Sequence, residues 1–126
     1  MILNGWTKAD GADIAHLDPQ FDNPKWMLVA SLLREYFGVA PVVTAGACSA
    51  GHSAGSMHYR GLAIDVRSRD LTADQRTQAG ELMAWLLGDP WCVVLEKDHY
   101  HIQWSNKNIK SGSMFKPLGG GRFYFP

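Results

Sequence analysis

His58, Asp65, His99 and His101 are the side chains of this chain best suited to hold a metal ion and hydrolyse a bond with it. A hydrolytic zinc site takes three protein ligands from His, Asp and Glu and leaves one coordination position for water. His58 closes a stretch rich in Gly, Ser and Ala, and Asp65 lies in the middle of a run that alternates as a strand does. Leu62, Ile64 and Val66 point one way; Ala63, Asp65 and Arg67 point the other. Ala63 is small and leaves room beside Asp65 for another group. Further on, His99, His101 and Gln103 form a polar face opposite Tyr100, Ile102 and Trp104. Both strands therefore carry one apolar face and one face with metal-capable side chains, and pairing them in a sheet brings those faces together. His16 and His52 read as ordinary surface or core histidines.

The elements that must position these residues follow from caps and periods. Asn23-Pro24 opens a helix whose apolar positions run from Trp26 to Phe37, with Gly38 as its stop. Val42 to Thr44 reads as a short strand, and Ala47 to Tyr59 as a loop, because small residues crowd it and no apolar period runs through it. After the strand Leu62 to Arg67, Thr72 and Gln75 form a capping box for a helix reaching Gly88. Trp91 to Glu96 and His99 to Trp104 read as two strands of a hairpin across Lys97-Asp98. This order predicts an α+β fold: a small, largely antiparallel sheet with helices on one face and the zinc site on the other.

The 126 residues suffice for one domain, 1–126, with an irregular N-terminal segment 1–22 and a loose C-terminal strap 107–126 whose aromatic end docks on the body. Apolar residues make up 46% and charged residues 19%, which excludes the disordered class. Twelve basic and twelve acidic residues cancel, so the basic excess of a nucleic-acid binder is missing. No run approaches the roughly 18 apolar residues of a membrane-spanning helix. Met1 to Asp13 lacks a basic head followed by an apolar run, which predicts no secretory signal. A target outside the cytoplasm then requires release or delivery by another factor, such as a phage lysis system or a secretion assembly that injects effectors. Cys48 and Cys92 read as free buried thiols rather than a disulfide.

Residues 56–65, Ser-Met-His-Tyr-Arg-Gly-Leu-Ala-Ile-Asp, fit the pattern S-x-H-x-x-G-x-A-x-D in full. The chain thereby resembles the M15 family of zinc metallopeptidases, which includes D-Ala-D-Ala carboxypeptidases and phage L-alanyl-D-glutamate endopeptidases. Glu96 to Ile102 is similar to that family's second motif, in which a Glu precedes the last zinc-binding His. The segment from His58 to Asp65 also resembles the hedgehog signalling domain, which shares the fold. The resemblance spans about residues 41–104.

It implies that His58 and Asp65 are zinc ligands. The third is His101 in a His-x-His register and His99 in a Glu-x-x-His register; the continuation His-Ile-Gln-Trp favours His101. His99 then stands beside the metal to stabilise an oxyanion, and Glu96 is the general base, with Asp98 as the alternative. Ser56 bonds substrate or steadies the loop. Many family members carry an Arg after the strand that precedes the zinc loop, to grip a substrate carboxylate. Thr44 to Ser49 contains none, and Arg60 and Arg67 flank the site instead. The implied activity is hydrolysis of a peptide bond in peptidoglycan stem peptides, by an endopeptidase more than a carboxypeptidase. The competing expectations are a non-catalytic, zinc-stabilised module and a protein–protein element of a phage or secretion assembly.

Overall fold

The computed structural model describes residues 3–48, 51–52, 55–105, 109, 112–115 and 122–125. Among the described residues there are seven strands: β1 (Thr7–Lys8), β2 (Val42–Ala45), β3 (Ala63–Arg67), β4 (Trp91–Leu95), β5 (His99–Trp104), β6 (Gly112–Phe115) and β7 (Arg122–Phe125). They form one sheet in the order β1-β2-β3-β5-β4-β6-β7, antiparallel except for the β1–β2 pair. Helices α1 (Lys25–Ser31) and α2 (Ala73–Leu87) complete an α+β domain. No helix among the described residues is long and apolar enough to cross a membrane.

Local chemistry starts both helices where the sequence says. The Asn23 side chain accepts from the Lys25 amide at 2.9 Å, satisfying one of the first-turn donors. Thr72 and Gln75 bond reciprocally, at 3.2 and 2.9 Å, in a complete capping box. The first helix does not run unbroken to Phe37: its last turn, Leu32–Tyr36, widens to π geometry.

The sheet divides into the two faces that strand alternation requires. Ile64, Ile102, Val93 and Phe115 stand in register across four strands and are buried in the main core with Met83 and Leu87 of α2. The next row, Asp65, His101, Val94 and Met114, faces the other way. Beyond it on that second face come Ala63 opposite Gln103 and Arg67 opposite His99.

Two parts of the sequence outline change. Within the tail read as a loose strap, 112–115 and 122–125 are strands that extend the sheet beyond β4. The N-terminal segment, read as irregular, contributes strand β1 and a 3-10 turn at Pro19–Phe21 and is firmly anchored. Trp6, Phe21, Trp26 and Trp91 pack as one aromatic cluster with ring centroids 4.9–5.9 Å apart. The indoles of Trp6 and Trp26 donate to the carbonyls of Trp26 and Phe21, both at 2.8 Å. Aromatic contacts of this kind add about 0.5–1.5 kcal/mol each beyond the area they bury.

Candidate metal centre

The site is assembled by two strands and one loop. Asp65 on β3 lies directly across from His101 on β5. His58 arrives on a short 3-10 turn, Met57–Arg60, capped by Ser56, whose Oγ accepts from the His58 amide at 3.2 Å. Gly61 ends that turn in the left-handed region at φ +69°, and Leu62 then leads into β3. A β-carbon on Gly61 would lie 2.8 Å from the Asp18 nitrogen, so the close approach and the backbone angle both call for glycine.

The N-terminal segment braces this loop at two points. The Asp18 amide donates to the Gly61 carbonyl at 2.8 Å, and the Ala47 amide donates to the Asp13 carbonyl at 2.8 Å. A β-carbon on Gly46 would overlap that same Asp13 carbonyl. The backbone of residues 13–18 therefore fixes both ends of the loop that carries His58.

One oxygen of Asp65, Oδ1, lies 3.1 Å from His58 Nε2, 3.3 Å from His101 Nδ1 and 3.6 Å from His99 Nε2. The outward nitrogens of the first two rings face carbonyl oxygens. His58 Nδ1 is 2.8 Å from the Gly46 carbonyl, and His101 Nε2 is 2.7 Å from Gln103 Oε1. The Gln103 amide is itself oriented by donating to the Ser105 carbonyl at 2.8 Å. A carbonyl oxygen only accepts, so each of these ring nitrogens carries the proton. In the neutral rings, His58 Nε2 and His101 Nδ1 are then bare lone pairs aimed at a carboxylate. Two lone pairs and an anion converge in a pocket where His58 is 1% and Asp65 7% exposed. Such a cluster demands positive charge at its centre, from protons or a metal ion.

With no metal present, burial pushes the Asp65 carboxyl up, but hydrogen bonds from His101 and His58, donated when those rings take up a second proton, outweigh it and hold the group well below the usual carboxylate range. Burial lowers the affinity of His101 for a proton; its bonds to Asp65 and Gln103 reverse this and raise it overall. Ligand atoms of His58, Asp65 and His101 lie within 4.8 Å of one another, so the three can hold a metal ion. A carbonyl on the far nitrogen of each ring is the usual outer support of a metal-binding histidine.

His99 sits differently. Its Nε2 is 2.7 Å from Glu96 Oε1 and its Nδ1 is 2.7 Å from Asp98 Oδ1. Clamped by two carboxylates, Glu96 first, its pKa rises to about 9. Both ring nitrogens are engaged, and His99 groups with Asp65 and Glu96 while His101 groups with His58 and Asp65. Glu96 closes the hairpin, its amide donating to the His99 carbonyl at 2.9 Å, and its carboxylate turns toward the metal face. The Asp98 side chain is 79% exposed and stands behind His99. Arg60 is exposed at the end of the 3-10 turn, and Arg67 is half-buried on the metal face.

Sequence reasoning left three contributors unassigned. His52 lies flat on His58, ring centroids 3.9 Å apart. Cys48 is grouped with these two rings. Gly46 supplies the orienting carbonyl. Parity along a strand cannot reveal them, because a tertiary fold of the loop brings them in. No protein-family model, no curated protein and no solved structure matches the chain.

Proposed function

We propose that this chain is a zinc peptidase that hydrolyses a peptide bond in peptidoglycan stem peptides, as an endopeptidase more than a carboxypeptidase. The observation that carries the reading is the convergence of two imidazole lone pairs and a buried carboxylate on one point, with a second carboxylate, Glu96, beside it. The substrate class rests on the Ser56–Asp65 motif and its likeness to the M15 enzymes. Nitrogen and oxygen ligands in a three-residue set suit zinc. A zinc ion held by His58, Asp65 and His101 would acidify water toward a pKa of ~7 and polarise a substrate carbonyl.

The chain's own groups do the remaining work. Glu96 accepts the proton of the attacking water at its carboxylate and returns it to the leaving amine. His99, charged, holds Glu96 in place through its Nε2–H; once Glu96 takes up the proton of water it no longer needs that hydrogen bond, and the N–H can turn to the oxygen on which negative charge develops. Asp98 fixes the His99 ring through Nδ1. Gly46 and Gln103 keep the two ligand rings turned inward. Ser56 acts through the turn it caps, and Arg60 borders the loop where a peptide's polar groups can meet it. Thr44 to Ser49 offers no arginine to grip a terminal carboxylate, which supports internal cleavage.

A second reading, a zinc-stabilised module without turnover, draws on the Glu96–His99 ion pair, which occupies the candidate base. Digestion of purified cell walls, with muropeptides identified by mass spectrometry, separates the two. We expect wild type to release peptide fragments and Glu96→Gln to be slower by about 10²–10⁴-fold while still binding zinc. Zinc binding without release by either protein supports the module.

A further inference from the structure

Beside the Asp65 centre lies a second donor set of different chemistry. Cys48, His52 and His58 offer ligand atoms within 4.8 Å of one another. Their surroundings hold them in place. Cys48 follows Ala47, whose amide is pinned to Asp13, and its own amide donates to the His58 carbonyl at 3.3 Å. The Tyr59 hydroxyl bonds the His52 main chain twice, accepting from its amide at 2.9 Å and donating to its carbonyl. Tyr59 adjoins His58 on the 3-10 turn, so the turn, the tyrosine and His52 form one connected unit. The His52 and His58 rings are nearly parallel, 12° apart.

A thiolate with two imidazoles and no carboxylate is a soft set, suited to zinc, cadmium or copper(I) rather than magnesium, calcium or manganese. A metal bound next to a thiol deprotonates it. Ligand atoms on a tetrahedral zinc, with bonds of ~2.0–2.3 Å, lie roughly 3.3–3.8 Å apart. The set must therefore contract by about 1–1.5 Å at most. The His52 and His58 rings lie in nearly parallel planes, so binding one ion through both requires the His52 ring to tilt out of the stack. His58 gives its Nδ1–H to Gly46 and has one lone pair to offer, so it serves one ion at a time.

We propose that the chain has two adjoining, mutually exclusive metal positions that share His58: one completed by Asp65 and His101, the other by Cys48 and His52. Glu96 and His99 belong to the group around Asp65 and not to the thiolate set, so the two positions differ in the side chains that flank a bound ion. The inference rests on His58 as a metal ligand and not on peptide hydrolysis.

Cobalt(II) is the probe, because a cobalt–thiolate bond gives a near-ultraviolet charge-transfer band that imidazole and carboxylate ligands do not. Asp65→Ala disables the first position and is expected to bind one cobalt per chain with a strong thiolate band. Cys48→Ser is expected to bind one cobalt without the band. Combining the two substitutions should weaken cobalt binding about 100-fold relative to Asp65→Ala alone. Cys92→Ala should retain the band, since Cys92 lies on β4 outside the set. Asp65→Asn, nearly the same shape, gives the same readout should Asp65→Ala not fold. No thiolate band at saturating cobalt in folded wild type and folded Asp65 variants overturns the proposal. So does a band that disappears with Cys92 instead of Cys48. Activity is not read, so loss of the peptidase reading and loss of this one are separately visible.

Discussion

Gln103 decides which nitrogen of His101 faces Asp65. Its Oε1 takes up Nε2 at 2.7 Å, leaving Nδ1 at 3.3 Å from the carboxylate. Gln103 is 1% exposed, so no solvent molecule replaces that acceptor easily. Gln103→Leu should therefore lower zinc affinity about 10–100-fold, measured by competition with a chelator of known affinity. Gln103→Glu keeps an acceptor at the same place and should retain most of the binding.

The loop carrying His58 depends on two glycines. Gly46→Ala drives a methyl group into the Asp13 carbonyl, and the backbone must move. Overpacking of this kind costs about 1–3 kcal/mol, and here it also displaces the acceptor of His58 Nδ1. Gly61→Ala imposes a left-handed backbone on a residue with a β-carbon, at about 1–2 kcal/mol. Urea denaturation should show comparable losses for the two variants. Zinc titration should separate them, Gly46→Ala losing more affinity.

Zinc should stabilise the fold by mass action. At a free concentration of ~1,000 times its dissociation constant, a ligand specific to the native state adds about 4 kcal/mol. Thermal melts with and without zinc should show this as a rise in Tm that His58→Ala and Asp65→Ala each abolish or sharply reduce.

In the metal-free protein, His99 should make stability fall at alkaline pH. Its folded pKa of about 9 lies above the ordinary ~6.5, so the native state binds the proton more tightly than the unfolded chain. The stabilisation is complete below pH ~6.5 and disappears as pH rises through 9. At ~1.4 kcal/mol per tenfold in proton affinity it amounts to about 3–4 kcal/mol at most. Denaturant titrations at pH 6.5 and 9.5 check this, with His99→Gln expected to flatten the difference. Asp65 acts in the opposite direction: its depressed pKa contributes stability that is lost as the solution turns strongly acid.

Period and caps made much of the architecture legible. Alternation along 62–67 and 99–104 placed Asp65 and His101 on one face before any pairing was known, and the sheet brings them into direct register. The Thr72–Gln75 box and Asn23 marked helix starts because capping is local chemistry. What stayed hidden was non-local or carried by the main chain. Cys48 and His52 reach His58 through a folded loop that has no period. The carbonyls of Asp13, Gly46 and Gly61 carry no side-chain signature. Strands β6 and β7 lie in a stretch with too many glycines and too little alternation to announce a ladder.

The acceptor that turns His58 belongs to the peptide backbone. Replacing the residue at 46 does not delete a main-chain oxygen; it only shifts the path that the oxygen follows. Half of the ring alignment at this centre is thus insulated from loss of any one functional group. Its vulnerability lies instead in the course of the main chain, which the backbone of residues 13–18 holds in place through Asp13 and Asp18.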